Sequence, residues 1–438
     1  MAEAFPDTLI IVGAGVFGLS TALAVAHRHP STRVTVIDRL VPPVEDGASV
    51  DTTRCIRADY ADPVYSQLAE EAQQKIEEDP ELSPYYFKQG MTFVTDGKPG
   101  PLLENWKQCM VNIRKRDGDS VLVEMSTPEA IYQRIHGPGA QLVPEARLNG
   151  CREWNVGYCN LKDAWVDAKE FTRVYYERCL SHPSISFRCG VAVEKVCVAN
   201  GKTSGVVLEN GQVLNAPLVL VAAGAWSNKL VYLDDVTVSA GIPVAWIKVT
   251  DEETAKWKNM SITTNLSTGL NLFPPYKGEM KCLLRTLPFR NTVSIPHPEH
   301  PSKKIKTSLP RTVVTNPTDV IPLEVEAGIR DNLRELMPEL ADRPFDRSKI
   351  CWVSKTKSTD FIIAPHPAIK GLHIATGDSG HGFKFLTVIG DLILDSLQGK
   401  LDKKYADRWA WADKESVGSA SFMGETLREL QTVVRSRL

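Results

Sequence analysis

The chain opens with an unbroken apolar run, Leu9-Ile-Ile-Val12, and then adopts a helical period in Val16-Phe-Gly-Leu-Ser-Thr-Ala-Leu-Ala-Val25. A second short apolar run, Val34-Thr-Val-Ile-Asp38, follows. Apolar residues at every position suit a strand buried on both faces, and the helical spacing suits a helix laid against it. Residues 8–38 therefore predict a strand, helix, strand unit. A polar passage over 41–57 holds Pro42, Pro43 and Gly47 and reads as loop. Helical patterning resumes at Val64-Tyr-Ser-Gln-Leu-Ala-Glu-Glu-Ala-Gln73.

Between 85 and 137 short strand and helix signals alternate, as in Met91-Thr-Phe-Val-Thr95, which predicts a first excursion into a second domain. From 157 the pattern predicts a helix, then strands over 186–198 and 205–208, then a buried strand, Leu218-Val-Leu-Val-Ala-Ala-Gly224. Residues 238–347 are mixed, and the proline-rich stretch 288–322 predicts a long exposed connection. The end returns to the opening style, with Leu372-His-Ile-Ala-Thr376, a glycine-rich turn, and a helix from about Lys384. The expectation is an α/β protein in two domains. A Rossmann-type nucleotide domain takes residues 1–84, 140–237 and 348–438, and a mixed antiparallel-sheet substrate domain takes 85–139 and 238–347.

Glycines set the chemistry of the first unit. Gly13, Gly15 and Gly18 form G-x-G-x-x-G between strand and helix, and Asp38 closes the second strand twenty positions after Gly18. The first glycine permits a tight turn, the second lets backbone approach a pyrophosphate, and the third lets helix and strand pack closely. The helix N-terminus favours phosphate, and Asp38 can accept from a ribose hydroxyl pair. Two further glycine-rich turns follow apolar strands: Ala222-Ala-Gly-Ala-Trp-Ser227 and Thr376-Gly-Asp-Ser-Gly-His-Gly-Phe-Lys384. Each reads either as an ordinary strand-to-helix turn or as a further backbone grip on one large cofactor. A flavin suits such multiple gripping better than a nicotinamide.

Bulk composition changes the picture little. The net charge of −2 over 438 residues provides no global field for nucleic acid or an anionic membrane, and no apolar stretch approaches membrane-helix length. A substrate anion must then be met by local cations. Nine cysteines, an odd number without a C-x-x-C pair, point to free, mostly buried thiols in a reducing compartment and suggest no metal site. The terminal Ser436-Arg437-Leu438 is a close variant of the S-K-L peroxisomal address, which implies a peroxisomal location and an import receptor as partner.

Most of the chain resembles the covalent-flavin amine oxidases, a family that includes monomeric sarcosine oxidase, L-pipecolate oxidase, fungal saccharopine oxidase and the fructosyl amino-acid oxidases. The resemblance is strongest over residues 9–57, 219–227 and 351–390. It implies a glutathione-reductase-like FAD domain, a D-amino-acid-oxidase-like substrate domain, and a monomer. Cys351-Trp-Val-Ser-Lys-Thr-Lys-Ser-Thr-Asp-Phe-Ile-Ile-Ala-Pro-His-Pro367 resembles the segment whose cysteine bonds to the flavin, which would make Cys351 an 8α-S-cysteinyl link. The family usually carries aspartate where Ala364 stands. Gly377-Asp-Ser-Gly-His-Gly-Phe-Lys384 resembles the turn under the flavin pyrimidine.

Asp51-Thr-Thr-Arg-Cys-Ile-Arg57 resembles the segment that lies along the flavin. By position, Arg57 and Lys384 would hold the substrate carboxylate and Arg54 would lie near the flavin, a cation pair that fructosyl amino-acid oxidases do not generally keep. Gly278-Glu-Met-Lys281-Cys-Leu-Leu-Arg285 resembles the strand bearing the oxygen-activating lysine, here Lys281. Arg285 stands about where sarcosine oxidase has histidine, and Asn271 about where it has tyrosine, so the substrate should differ from sarcosine; a second cation suits an additional carboxylate. His381 reads either as a general base or as a loop-shaping residue. The implied cofactor set is Gly13, Gly15, Val16, Phe17, Gly18, Asp38, Arg39, Thr53, Arg54, Val193, Ala223, Gly224, Trp226, Cys351, Asp378, Gly380, His381, Gly382, Phe383 and Lys384.

The resemblance therefore implies an FAD-dependent oxidase of secondary amino acids that reduces oxygen to hydrogen peroxide. L-Saccharopine and L-pipecolate come first as substrates, followed by sarcosine and other N-methyl amino acids. A fructosyl amino-acid oxidase is the principal alternative, and a nicotinamide-dependent dehydrogenase the more distant one.

Overall fold

The computed structural model describes residues 5–142, 154–233, 236–411 and 426–436. The opening strand, Thr8–Val12, lies inside a six-stranded sheet, parallel to Arg33–Asp38 on one side and Leu218–Val221 on the other. Leu372–Thr376 extends the parallel set beyond Leu218–Val221, Ile362–Pro365 adds an antiparallel edge, and Ile185–Cys189 closes the other side. Leu9, Ile10, Ile11 and Val12 are buried from both faces, as their unbroken apolar run requires.

Helix Val16–Arg28 packs on this sheet and against helix Ile389–Leu397. The two helices touch at Gly390, where a Cβ would stand 2.2 Å from the Ser20 carbonyl oxygen. Ser20 Oγ donates to the Leu386 carbonyl at 2.7 Å and accepts from Gly390 N at 2.9 Å, so the contact is polar as well as close. The predicted helix near Lys384 resolves into a 3₁₀ turn, Gly382–Phe385, followed by that α-helix.

A ten-stranded mixed sheet forms the second half. Its spine is Thr237–Lys248, paired antiparallel with Arg347–Thr356 over its length and with Glu279–Leu284 through its C-terminal half. This pairing sets Cys351 opposite Ile242 and Lys281 opposite Trp246. Residues 156–160 and 348–356, grouped by sequence with the nucleotide half, run in this larger sheet.

Two local expectations are corrected. Instead of a helix starting at 157, strands Val156–Asn160 and Ala164–Val166 precede helix Ala168–Ser181, whose N-cap Asp167 accepts from Lys169 N and Glu170 N. Val156–Asn160 is flanked by Met91–Thr95 and Leu122–Met125 and mostly buried, so it has no polar face to reveal a strand period. The proline-rich stretch, expected as one long exposed connection, contains a hairpin, Thr292–Pro296 with Lys304–Ser308.

A short sheet, Arg54–Ile56 with Ala164–Val166 and Tyr86–Phe87, lies beside the cavities described next. Among the described residues, no helix is long and apolar enough to cross a membrane.

Candidate active site

Two cavities, of about 580 and 830 Å³, share Arg54, Gly380 and Phe383 in their walls. The smaller opens over the glycine turn. Gly13 has φ +112°, and a Cβ there would stand 2.3 Å from the Ala222 carbonyl oxygen; a Cβ on Gly15 would stand 2.9 Å from Ser49 Oγ. Gly18 does not line the cavity. It packs beneath it, where a Cβ would stand 1.8 Å from the Gly13 carbonyl oxygen. Val16, Phe17, Asp38, Arg39, Val193, Ala223, Gly224, Trp226, Asp378 and Gly382 complete the predicted residues of this wall.

Asp38 braces the turn directly, its Oδ2 accepting from Ala14 N at 2.8 Å, and burial raises its carboxyl above the ordinary value. Arg39 pairs with Asp46 and lies over the Trp226 ring at 4.2 Å. Asp378 accepts from Ser354 N at 2.9 Å and Gly380 N at 3.3 Å, while burial lifts it to about 6.

The larger cavity gathers the basic side chains of Arg54, Arg57, Lys281, Arg285 and Lys384, and Lys404 and Arg408 also line it. Cys351 and His381 share its wall. Strand Glu279–Leu284 presents Lys281, whose Nζ donates to Asp51 Oδ2 and to the Thr53 carbonyl, both at 2.6 Å. Burial lowers the Lys281 ammonium to about 8 against the opposing pull of Asp51. The Asp51 carboxyl would be raised by burial, but Lys281, Lys349 and Arg54 together hold it at about 2. Lys281 therefore remains a cation at neutral pH.

Arg57 donates to the Asp59 carbonyl and lies over the Tyr60 ring at 4.7 Å. Lys384 Nζ donates to the Tyr60 hydroxyl at 2.7 Å, and that hydroxyl lies 2.9 Å from His381 Nδ1. Burial pushes His381 down to about 3, so its ring is neutral. Arg285 has an unpartnered buried Nε, and burial lowers its guanidinium from the ordinary value.

Thr53 lies behind the wall, offering its carbonyl to Lys281 while its Oγ1 has no partner. Asn271 is fully buried, pairs with Thr264, and lines neither cavity. Ala364 is buried in an edge strand away from both. Sequence reasoning missed Tyr60, Asp51 as the partner of Lys281, and Ser49, whose Oγ accepts from Val16 N at 3.0 Å. Tyr60 carried one usable signal, its place three residues after Arg57 on the same segment.

The residues present fit a flavin dinucleotide. The joined cavities, the glycine floor that a Cβ would fill, and the unpartnered buried Arg54 Nε at the junction together suit a long ligand with a phosphate-bearing end and a ring end.

The chain belongs to the FAD dependent oxidoreductase family, whose sequence profile matches residues 8–396. It is an FAD-dependent oxidoreductase of the amine-oxidising kind. It is 31% identical to the L-saccharopine oxidase of Schizosaccharomyces pombe over 94% of each chain. It is 24% identical to a monomeric sarcosine oxidase from a Bacillus species, covering 90% of this chain and 93% of that one. Among solved structures, the deglycating fructosamine oxidase of Aspergillus fumigatus superposes with a TM-score of 0.81 at 27% identity, over 98% of this chain and 96% of that one.

Proposed function

We propose that the protein oxidises the C–N bond of secondary-amine amino acids to an imine that hydrolyses, passing the electrons to oxygen to give hydrogen peroxide. FAD, when bound, supplies the two-electron acceptor and the oxygen-reactive centre. The observation that carries this reading is the convergence of Arg57, Lys384 and Arg285 on one cavity beside Lys281 and Cys351. Arg57 and Lys384 hold the α-carboxylate, orienting the adjacent C–H bond toward the ring end of the site. Aromatic walls, the buried Phe273 and the partly buried Tyr60 among them, exclude water and strengthen each charge. Lys281 places a fixed positive charge where oxygen acquires negative charge.

Arg285 supports L-saccharopine as first substrate, because a guanidinium with an unpartnered Nε in the cavity wall offers a site for a second carboxylate; L-pipecolate follows, then sarcosine and other N-methyl amino acids. Cys351 is the residue we assign as the covalent 8α-thioether link. Ser436-Arg437-Leu438 is assigned as a peroxisomal import signal; Arg437 and Leu438 lie outside the described residues. The nucleotide-binding assignment to residues 1–84, 140–237 and 348–438 is part of the same proposal.

Incubating the purified holoprotein with L-saccharopine, L-pipecolate and sarcosine while recording peroxide tests the reading. Peroxide from saccharopine or pipecolate is the expected result, and silence with all three overturns it. A second reading, deglycation of fructosyl amino acids, is favoured by the likeness to the fructosamine oxidase. Turnover of fructosyl-valine in place of the three amino acids would select it.

A further inference from the structure

Lys384 ends a chain of hydrogen bonds whose direction is fixed at its far end. His381 Nε2 lies 2.8 Å from the Thr359 carbonyl oxygen, which can only accept, so the ring proton sits on Nε2. Nδ1 then carries a lone pair and accepts the Tyr60 O–H. Tyr60 has a single proton and has spent it there, so its oxygen accepts from Lys384 Nζ.

The surroundings of Lys384 do not supply a counter-charge. The side chain is buried, makes no ion pair among the described residues, and finds one acceptor, the Tyr60 hydroxyl. An ammonium there would leave two of its three N–H bonds without protein acceptors. Arg57 and Arg285 oppose a positive charge at Nζ, while Cys55 and Asp163 favour one. Asp163 is itself pushed well above the ordinary carboxylate range by burial and by Asp59, which weakens its contribution. Burial, with Arg57 second, draws Lys384 well below an ordinary lysine.

Resting on the carboxylate site assigned above, we propose that Lys384 is an uncharged amine in the substrate-free protein and accepts the proton of the entering substrate ammonium, with Tyr60 as its positioning residue. An amino acid enters as a zwitterion. Its ammonium N–H bond breaks, the electron pair stays on the substrate nitrogen, and a new N–H bond forms at Lys384 Nζ. Charge and protons balance within the cavity. The single transfer leaves a neutral amine, the form whose lone pair supports oxidation of the adjacent carbon, and creates the second cation for the carboxylate.

A carboxylate without an amine brings no proton, so its binding must draw one from solvent. Pivalate and 2-aminoisobutyrate provide that contrast: they are nearly isosteric, and the amino acid has no hydrogen on the carbon bearing nitrogen. Calorimetric titration of the holoprotein near pH 7, in buffers of different ionisation enthalpy, counts protons exchanged on binding without using turnover. At that pH Lys281, at about 8, is already mostly charged.

Pivalate should take up about one proton per site and 2-aminoisobutyrate close to none, with the pivalate uptake abolished in Lys384→Met. Tyr60→Phe removes the acceptor of a Lys384 N–H and should move the low-pH edge of the uptake profile to lower pH; an unchanged profile overturns the role given to Tyr60. Pivalate binding without proton uptake, or uptake that survives in Lys384→Met, overturns the proposal while leaving the carboxylate site standing. Failure of either ligand to bind removes the carboxylate site and the proposal with it.

Discussion

Lys281 Nζ and Asp51 Oδ2 lie 2.6 Å apart across 230 residues of sequence, with 3% and 2% of their side chains exposed. The pair fixes a positive charge in the wall of the larger cavity without leaving it uncompensated, which a buried ammonium requires. Lys281→Met should slow the reaction of the reduced protein with oxygen by about 100–1,000-fold. Stopped-flow mixing with oxygen after anaerobic reduction measures this, and anaerobic reduction by substrate should change far less. Because a lysine is charged below its pKa, the oxygen reaction of the wild type should fall as pH rises through about 8. Asp51→Asn removes the group that raises Lys281, so the same decline should begin at lower pH.

Arg57 and Arg285 separate two roles that the cavity places side by side. Arg57→Ala should reduce kcat/KM for every amino acid by about 10–100-fold, the worth of a charged hydrogen bond. Arg285→Ala should impose a loss of that size on saccharopine and much less on pipecolate. Steady-state peroxide assays with both substrates discriminate, and equal losses for Arg285→Ala would make its role structural.

Cys351 should be visible by colour. Acid-precipitated wild-type protein should remain yellow, whereas Cys351→Ser should release its flavin into the supernatant. Absorbance of pellet and supernatant is the measurement, and colour retained by the variant would locate the tether elsewhere.

Gly18 tests the packing beneath the nucleotide turn. Its Cβ would meet the Gly13 carbonyl oxygen at 1.8 Å and Ile11 Cγ2 at 3.3 Å, and the first is backbone inside a tight turn. Gly18→Ala should destabilise the fold by about 1–3 kcal/mol or more, the scale of overpacking in a close-packed core. A lowered Tm together with reduced flavin content is expected, and unchanged values of both would show that helix and turn can separate at little cost.

The opening strand, helix and strand were legible because three independent signals coincide there: glycine spacing, a helical period, and an acid at the end of the second strand. Arg57, Lys281, Arg285, Lys384 and Cys351 were reached through resemblance, and the structure brings them to one cavity. Strand Val156–Asn160 was not legible, since pairing on both edges and burial of most of its residues erase the alternation that marks a strand. The hairpin at Thr292–Pro296 was hidden by its prolines, one of which ends the strand itself. Tyr60 and Asp51 escaped because their partners lie 324 and 230 residues away, and hydrogen bonds at that separation leave no local pattern.

The segment containing strand Arg54–Ile56 borders both cavities through Arg54 and carries Asp51 and Arg57 at its flanks. On the roles proposed for these residues, a change here should disturb cofactor retention, oxygen chemistry and carboxylate capture at once, which makes this segment poorly suited to the gradual refitting of substrate preference. Val244, Leu283 and Arg285 line the larger cavity alone, so side chains there can vary without altering the lining of the smaller one.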